Sequence, residues 1–382
     1  MKEKQIKILA LESSCDETAA AVLCVTTHSS LPAPTLLSSV VSTQVDLHAK
    51  TGGVVPEVAS RAHMEVIVPI IAGALIRSKQ GDQTSEKLDY AQAIAILREE
   101  ITHIACTNQP GLIGSLMVGF SAAKTLAYAL DLPFIPVHHI EGHIYSALLS
   151  SSETANCKLQ TANFPLLALT VSGGHTSLTL MYDHGRYETL GETIDDAAGE
   201  AFDKVAKMLE IGYPGGPAVS NLSNEFRTNY PLPATDHLLK FPRPILHDGT
   251  YNFSFSGLKT AVLQYVLKLK KERELTELDK GEICAAFEDA AVDVLVTKTM
   301  RAAQLYQPKS IILAGGVAAN TALRNSLHLA TDHLLPTTNF MVPPLEFCGD
   351  NAAMIALAAY YHLQKDNTAS WSEPTVSSSG DL

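Results

Sequence analysis

The sequence predicts an α/β protein made of two related lobes with a cleft between them, and three observations carry that prediction. The first is an internal echo. Leu9-Ala10-Leu11-Glu12-Ser13-Ser14-Cys15-Asp16-Glu17-Thr18 and Leu167-Ala168-Leu169-Thr170-Val171-Ser172-Gly173-Gly174-His175-Thr176 share Leu, Ala, Leu, Ser and Thr at one constant offset. Each reads as an apolar strand that breaks at a small polar turn and resumes as a second strand. Secondly, residues 103–106, Pro110-Gly111 and a small-residue helix over 114–130 correspond to residues 310–313, Gly315-Gly316 and a helix near 320–329. Hairpin, strand, glycine turn and helix, met twice, indicate a duplicated fold. The third observation is length: 382 residues exceed one ordinary core, so two domains are the default.

Composition narrows the class. With 46% hydrophobic and 18% charged residues the chain is globular and well buried. Its 28 basic and 40 acidic residues give a formal net charge of -12, which opposes broad attraction to nucleic acid. Any nucleic-acid contact must be local or shared with a partner. The six cysteines show no C-x-x-C spacing, so neither a zinc knuckle nor a secreted disulfide framework is indicated, and a reducing compartment is expected. Met1-Lys2-Glu3-Lys4 does not resemble a targeting segment, and no apolar run approaches membrane-spanning length. The expectation is a cytoplasmic chain with no membrane association.

In chain order, strands are expected at 6–11 and 19–25, and residues 26–38 and 80–100 read as surface insertions. After the helix over 114–130 comes a short apolar run and then Val137-His138-His139-Ile140-Glu141-Gly142-His143. At about 100° per residue, a helix leaves His139 and His143 about 40° apart on one face, with Glu141 on the opposite side. The zinc-peptidase signature H-E-x-x-H needs its Glu directly after the first His, and here it comes one place too late. Strands are expected near 167–171 and 177–181. The turns Ser172-Gly173-Gly174-His175 and Gly315-Gly316-Val317 offer backbone N–H groups to an anion, in a pattern unlike Walker A or the dinucleotide fingerprint. A helix over 194–209 would align Asp196, Glu200 and Asp203, and it should end at the loop Gly212-Tyr213-Pro214-Gly215-Gly216-Pro217. Helices follow at 256–271 and 278–304, with Lys268, Lys270, Lys271 and Arg273 as an exposed basic helix end. The chain then runs through a strand at 339–342 and Cys348-Gly349-Asp350-Asn351 to an alanine-rich helix over 352–363. Asp350 is placed either to cap that helix or to aim a carboxylate into a cleft. From Lys365 the chain is rich in Ser and Thr and is expected to lack fixed structure.

These motifs together resemble the bacterial-type tRNA N6-adenosine threonylcarbamoyltransferase family (TsaD, related to Kae1 and Qri7), within the actin-like ATPase (ASKHA) superfamily. The likeness covers residues 8–363 and rests on Glu12-Ser13-Ser14-Cys15-Asp16-Glu17-Thr18, Pro56-Glu57-Val58-Ala59-Ser60-Arg61, His138 to His143, Val171 to Thr176, Asp195 to Lys204, Tyr213-Pro214-Gly215-Gly216, Phe253-Ser254-Phe255-Ser256-Gly257-Leu258-Lys259-Thr260 and Gly315 to Asn320. It implies duplicated RNase H-like domains with a nucleotide and metal cleft between them: a lobe over 1–163 completed by the helix 352–363, a lobe over 164–351 with a helical insertion at about 194–305, and a tail over 364–382. The implied activity is transfer of a threonylcarbamoyl group from threonylcarbamoyl-adenylate to N6 of adenosine 37 in tRNAs reading codons that begin with A. It further implies one Fe2+ or Zn2+ per subunit on His139, His143 and Asp350, and an adenylate site at Thr170, Val171, Ser172, Gly173, Gly174, Asp203, Gly216 and Asn320.

Asp16 and Glu17, at the first hairpin turn, are candidate orienting groups for catalysis, and the sequence does not choose between them. The implied partners are tRNA and TsaB-like and TsaE-like proteins, with a homodimer left open. The chain departs from the family pattern at Gln109, where glycine is usual, at Gly349, where threonine is usual, and in a longer insertion before Ile101. The first two predict an altered turn and a looser seat for the third ligand. Two rivals remain: an ASKHA-type small-molecule kinase or ATPase, which has no need of the His pair, and a metallopeptidase, which the position of Glu141 disfavours.

Overall fold

A computed structural model describes residues 5–26, 34–80, 88–150, 160–230, 239–365, 368, 372, 374–380 and 382. Two compact units result, Met1–Thr161 with Pro343–Leu382, and Ala162–Val342.

In the first unit, β1 (Gln5–Glu12), β2 (Glu17–Thr26) and β3 (Pro34–Thr43) form an antiparallel meander, followed by α1 (Val45–Ala49), α2 (Pro56–Gln80) and α3 (Tyr90–Glu100). Next, β4 (His103–Gln109) joins β1 in parallel, α4 (Ile113–Leu130) crosses over, β5 (Phe134–His138) joins β4 in parallel, and α5 (His139–Ser146) follows. The sheet order is β3-β2-β1-β4-β5. Residues 8–11 and 19–23 are buried without alternation, the mark of strands covered on both faces. One of those faces is filled by Leu9, Leu11 and Val22 against Ile67, Ile71 and Leu75 of α2 and Phe120 and Ala123 of α4.

The second unit contains β6 (Leu166–Val171), β7 (Thr176–Asp183), β8 (Arg186–Glu192), α6 (Ala198–Leu209), α7 (Gly215–Asn229), α8 (Ser256–Glu272), α9 (Glu277–Tyr306), β9 (Ser310–Ala314), a 3-10 turn (Gly316–Ala319), α10 (Thr321–Leu334) and β10 (Asn339–Met341). Its sheet order, β10-β9-β6-β7-β8, repeats that of the first unit strand for strand, again with an antiparallel meander and two parallel additions. The register repeats as well: Leu9 faces Ile104 across β1 and β4, and its echo Leu167 faces Ile311 across β6 and β9. The duplicated α/β fold expected from the echo is therefore present. The chain finally returns to the first unit through a 3-10 turn (Leu345–Phe347) and α11 (Ala352–Gln364).

Several expectations need correction. The segment 26–38 is no mere insertion, because β3 begins at Pro34 and pairs along β2; residues 27–33 lie outside the described residues. Within 80–100, residues 81–87 are likewise outside, and the remainder is largely α3, capped by the Asp89 carboxylate and burying Ala93, Ile96 and Leu97 against the core. Helix α6 starts at Ala198, so Asp196 precedes it and does not share a helical face with Glu200 and Asp203. The Gly-Pro loop after α6 is the start of α7, whose cap position is Pro214.

Two helices, Pro56–Gln80 and Ile113–Leu130, are long and apolar enough to cross a membrane by length and composition, although neither is an unbroken apolar run. Both pack on the first sheet, α2 against β2 and β3 and α4 against β4. The tail also departs from expectation. Ser377 N donates to Asn108 O at 3.0 Å, Asn108 Nδ2 to Thr375 O at 3.2 Å, Lys124 Nζ to Pro374 O at 3.2 Å, and Val376 packs on the core. One apolar anchor and three hydrogen bonds hold a segment whose composition alone gives no reason to order.

Candidate functional site

Close packing of two helices builds the centre. Helix α5 starts where β5 ends, so His139 follows strand residue His138 directly, and all eight residues of α5 are buried. A Cβ on Gly142 would sit 2.7 Å from Ile355 Cδ1 and 3.2 Å from Met354 Cγ, so any larger residue there would require these α11 side chains to shift. The residue that caps α11 is Asn351, whose side chain accepts from Met354 N at 2.9 Å and donates to Gly349 O at 2.8 Å. Asp350 is thereby released from capping, and its carboxylate lies over the imidazole pair. The seat expected to loosen at Gly349 is tied down by this Asn351 bond.

His139 Nε2 and His143 Nε2 stand 3.5 and 3.2 Å from Asp350 Oδ1, with ring centroids 4.6 Å apart. One ligand atom from each of the three residues falls within 4.8 Å of the others. His143 is fully buried, and neither of its ring nitrogens makes a hydrogen bond. Leaving a buried imidazole unpaired is costly, and a metal ion between Nε2 and the carboxylate removes that cost. Two nitrogens and a carboxylate oxygen suit a divalent transition metal and leave coordination positions open.

Behind the pair lies a residue that sequence reading left without a role. Glu12 is fully buried at the end of β1. Its Oε1 accepts from Ser14 N at 2.6 Å, and its Oε2 accepts from Thr107 Oγ1 and from His139 Nδ1, the latter at 3.2 Å. A proton held on Nδ1 leaves Nε2 as the nitrogen that can give its lone pair to a metal. Burial works against charge on His139, but the Asp350 and Glu12 carboxylates outweigh it and raise its pKa to about 9. The motif position of Glu12 beside the first turn was the available clue; its partnership with a histidine 127 residues away was not readable.

Of the candidate orienting groups, Glu17 is the one whose surroundings are distinctive. Its carboxyl is raised well above the usual range by burial, then by the nearby Asp350 and Asp16 charges. The Cys15 thiol is raised by burial and by the same two carboxylates. His63 braces this turn, with Nδ1 2.7 Å from Thr18 Oγ1 and Nε2 3.0 Å from Cys15 O, and burial lowers its pKa, in keeping with a neutral ring. As expected from helical spacing, Glu141 is directed to the other side of α5, where Oε2 meets His362 Nε2 of α11 at 2.8 Å. Glu141→Gln should therefore keep the metal and lose at most about tenfold in activity, the scale of one hydrogen bond. Metal content and turnover measured together check this; loss of all activity with metal retained would make Glu141 a catalytic base after all.

In the second unit the expected anion-binding turn closes on itself, with Ser172 N donating to His175 O at 2.7 Å and His175 N to Ser172 Oγ at 3.1 Å. Gly173 and Gly174 have open space where side chains would project, whereas Thr170 and Val171 are fully buried in β6. Gly315, at φ 87°, approaches the end of the same strand so closely that a Cβ would lie 2.4 Å from Val171 O. Asp203 Oδ1 accepts from Gly215 N at 2.7 Å and so holds the start of α7, next to Gly216. Asn320 caps α10 by accepting from Leu323 N at 2.8 Å. The two carboxylates before α6 act on neighbouring segments. Asp195 accepts from Ser254, Phe255 and Ser256, while Asp196 pairs with Lys204 and Lys259.

The sequence model described as TsaD: tRNA N6-adenosine threonylcarbamoyltransferase matches residues 35–357. The chain belongs to this family. A relative of that name from Enterococcus faecalis is 42% identical over 379 residues, 98% of this chain and 96% of the relative. One from Symbiobacterium thermophilum is 46% identical over 355 residues, covering 93% and 91%. Among solved structures, full-length HypF in a phosphate- and nucleotide-bound form superposes with a TM-score of 0.53 at 13% identity, over 97% of this chain and 48% of HypF. HypF from T. kodakarensis gives 0.55 at 13% identity, over 96% and 50%. At that identity the HypF likeness concerns the fold, and it accords with the two α/β units of the threonylcarbamoyltransferase chain.

Proposed function

We propose that this threonylcarbamoyltransferase carries threonylcarbamoyl from threonylcarbamoyl-adenylate to N6 of adenosine 37 in tRNAs reading codons that begin with A, with His139, His143 and Asp350 holding one Fe2+ or Zn2+ per chain. The observation that carries the assignment is the fully buried His143 imidazole, which makes no hydrogen bond and whose Nε2 stands 3.2 Å from Asp350 Oδ1. When bound, the metal supplies Lewis acidity toward the oxygens of the adenylate. The protein's own residues do the rest. Glu12 fixes the His139 tautomer, and the turn that Ser172 closes through His175 offers the Gly173 and Gly174 N–H groups to a phosphate. Thr170 and Val171, being buried, act by fixing that turn, while Asp203, Gly216 and Asn320 frame the adenylate from α6, α7 and α10. The exocyclic amine is a weak nucleophile, so orientation matters more than base strength, and Asp16 or Glu17 supplies it.

Partners follow from charge and surface. At net charge -12 the chain alone should hold tRNA weakly, and TsaB-like and TsaE-like proteins would complete the complex. Met64 and Val68 of α2 and Ile113 and Met117 of α4 are exposed on helices that pack side by side, an apolar face suited to a partner or to a second copy. The test is to mix the chain with unmodified tRNA, threonylcarbamoyl-adenylate and the two partner proteins and to assay modified adenosine. Formation only when the chain is present is the expected result. Failure with metal-loaded protein and all components would overturn the proposal.

A further inference from the structure

Glu288 of α9 is 1% exposed, far from ordinary for a carboxylate, and the chemistry above does not use it. Four donors converge on it. Ser220 Oγ at 2.8 Å and Asn320 Nδ2 at 2.7 Å reach Oε1, while Ser223 Oγ at 2.8 Å and Arg227 Nη1 at 2.7 Å reach Oε2. Arg227 is itself anchored by Asp289 Oδ1 at 2.7 Å. Buried ion pairs add little net stability, and their best-attested use is to select one arrangement over another. The arrangement selected here is that of the Asn320 amide.

Both N–H groups of Asn320 are committed, one to Glu288 Oε1 and one to Ser220 Oγ at 2.8 Å, and its Oδ1 accepts from Leu323 N at 2.8 Å. An amide can ordinarily turn over and exchange its oxygen and nitrogen. An ion-paired carboxylate has no hydrogen to offer, so the nitrogen of Asn320 must face it and the turned-over form is excluded. One lone pair on Oδ1 is what remains for a ligand.

We propose that Glu288 is a positioning residue that locks the Asn320 amide, so that Asn320 meets the nucleoside only as a hydrogen-bond acceptor, toward an N–H or O–H donor. The donors an adenosine nucleotide offers are the 6-amino group and the ribose hydroxyls. The proposal rests on the placement of Asn320 at the adenylate, and the experiment separates the two ideas.

Binding of AMP, IMP, 2′-deoxy-AMP and 3′-deoxy-AMP is measured calorimetrically on the full-length chain and on E288Q, R227Q/E288Q and N320A. The wild type should prefer AMP over the analogue lacking the recognised donor by about tenfold, the scale of one hydrogen bond. In E288Q, Arg227 draws the glutamine oxygen to its side, leaving the glutamine nitrogen toward Asn320, and the preference should fall to near unity. Removing the cation as well, in R227Q/E288Q, should restore it. A merely structural role would weaken all four nucleotides alike and lower the melting temperature while leaving their ratio unchanged, and that result overturns the proposal. So does a wild type with no preference among the four. If N320A binds and discriminates like the wild type, the placement of Asn320 is wrong; if N320A loses the preference and E288Q keeps it, only the role of Glu288 is wrong. Should E288Q fail to fold, Glu288→Asp tests the same lock by drawing the carboxylate back from the Asn320 nitrogen: a reduced preference supports the lock, and an unchanged one overturns it.

Discussion

Replacing His143 by alanine should empty the metal centre and reduce threonylcarbamoyl transfer to background while leaving the chain folded. The side chain is fully buried and makes no hydrogen bond, so its removal costs the metal a ligand and the chain only the contact with Asp350. Asp350→Ala should act in the same direction, since Oδ1 lies within 3.5 Å of both imidazoles. Metal per chain, measured by elemental analysis, should fall from about one to near zero in either variant. Unchanged metal content in both would place the ion elsewhere. The centre should also show a particular dependence on pH. His139 titrates at about 9 in the metal-free chain, so at neutral pH it carries a proton that an incoming metal must displace. Affinity should therefore rise with pH, by up to about tenfold per unit, and level off above about 9. Stability of the metal-free chain should move oppositely. The folded-state pKa lies above the ordinary 6.5, so this contribution is complete below 6.5 and is lost as pH rises through about 9.

Glu12→Gln is expected to weaken metal binding by about 10- to 100-fold, the usual consequence of removing the group behind a liganding histidine. Three donors converge on this carboxylate: Ser14 N, Thr107 Oγ1 and His139 Nδ1. An amide of the same shape can accept with its oxygen only, so its nitrogen must face at least one of them. If it faces His139, the ring either loses its brace or turns its proton to the metal side. The Glu12 site is fully buried, so no water is at hand to take the vacated bond. Competition against a chelator of known affinity measures the effect, with melting temperature recorded in parallel. An affinity equal to the wild type would mean that Ser14, whose Oγ is 3.2 Å from His139 Nδ1, suffices to hold the ring.

The sequence alone determined features that depend on neighbours along the chain or on repetition. The echo between residues 9–18 and 167–176 identified the duplication, because two copies of one meander keep the same apolar and turn positions wherever they fold. Helical period placed His139 and His143 on one side and Glu141 on the other, because spacings of four and two residues on a single helix fix those directions. The ends of α8, α9 and α11 were close to their expected places for the same reason. Tertiary structure decided what depends on approach between distant segments. Asp350 was legible as either a cap or a ligand, and the choice fell to Asn351, which took the cap and left the carboxylate to the histidines. Glu12 became the brace of His139 only because β1 lies beside β4, with β5 and α5 beyond it. Asp196 left the helical face it was assigned because pairing with Lys204 and Lys259 holds it in the turn before α6. The described part of the tail rests on the packing of Val376 and on hydrogen bonds with Asn108 and Lys124. Composition reports neither, since burial and pairing are properties of the partner surface as much as of the segment itself.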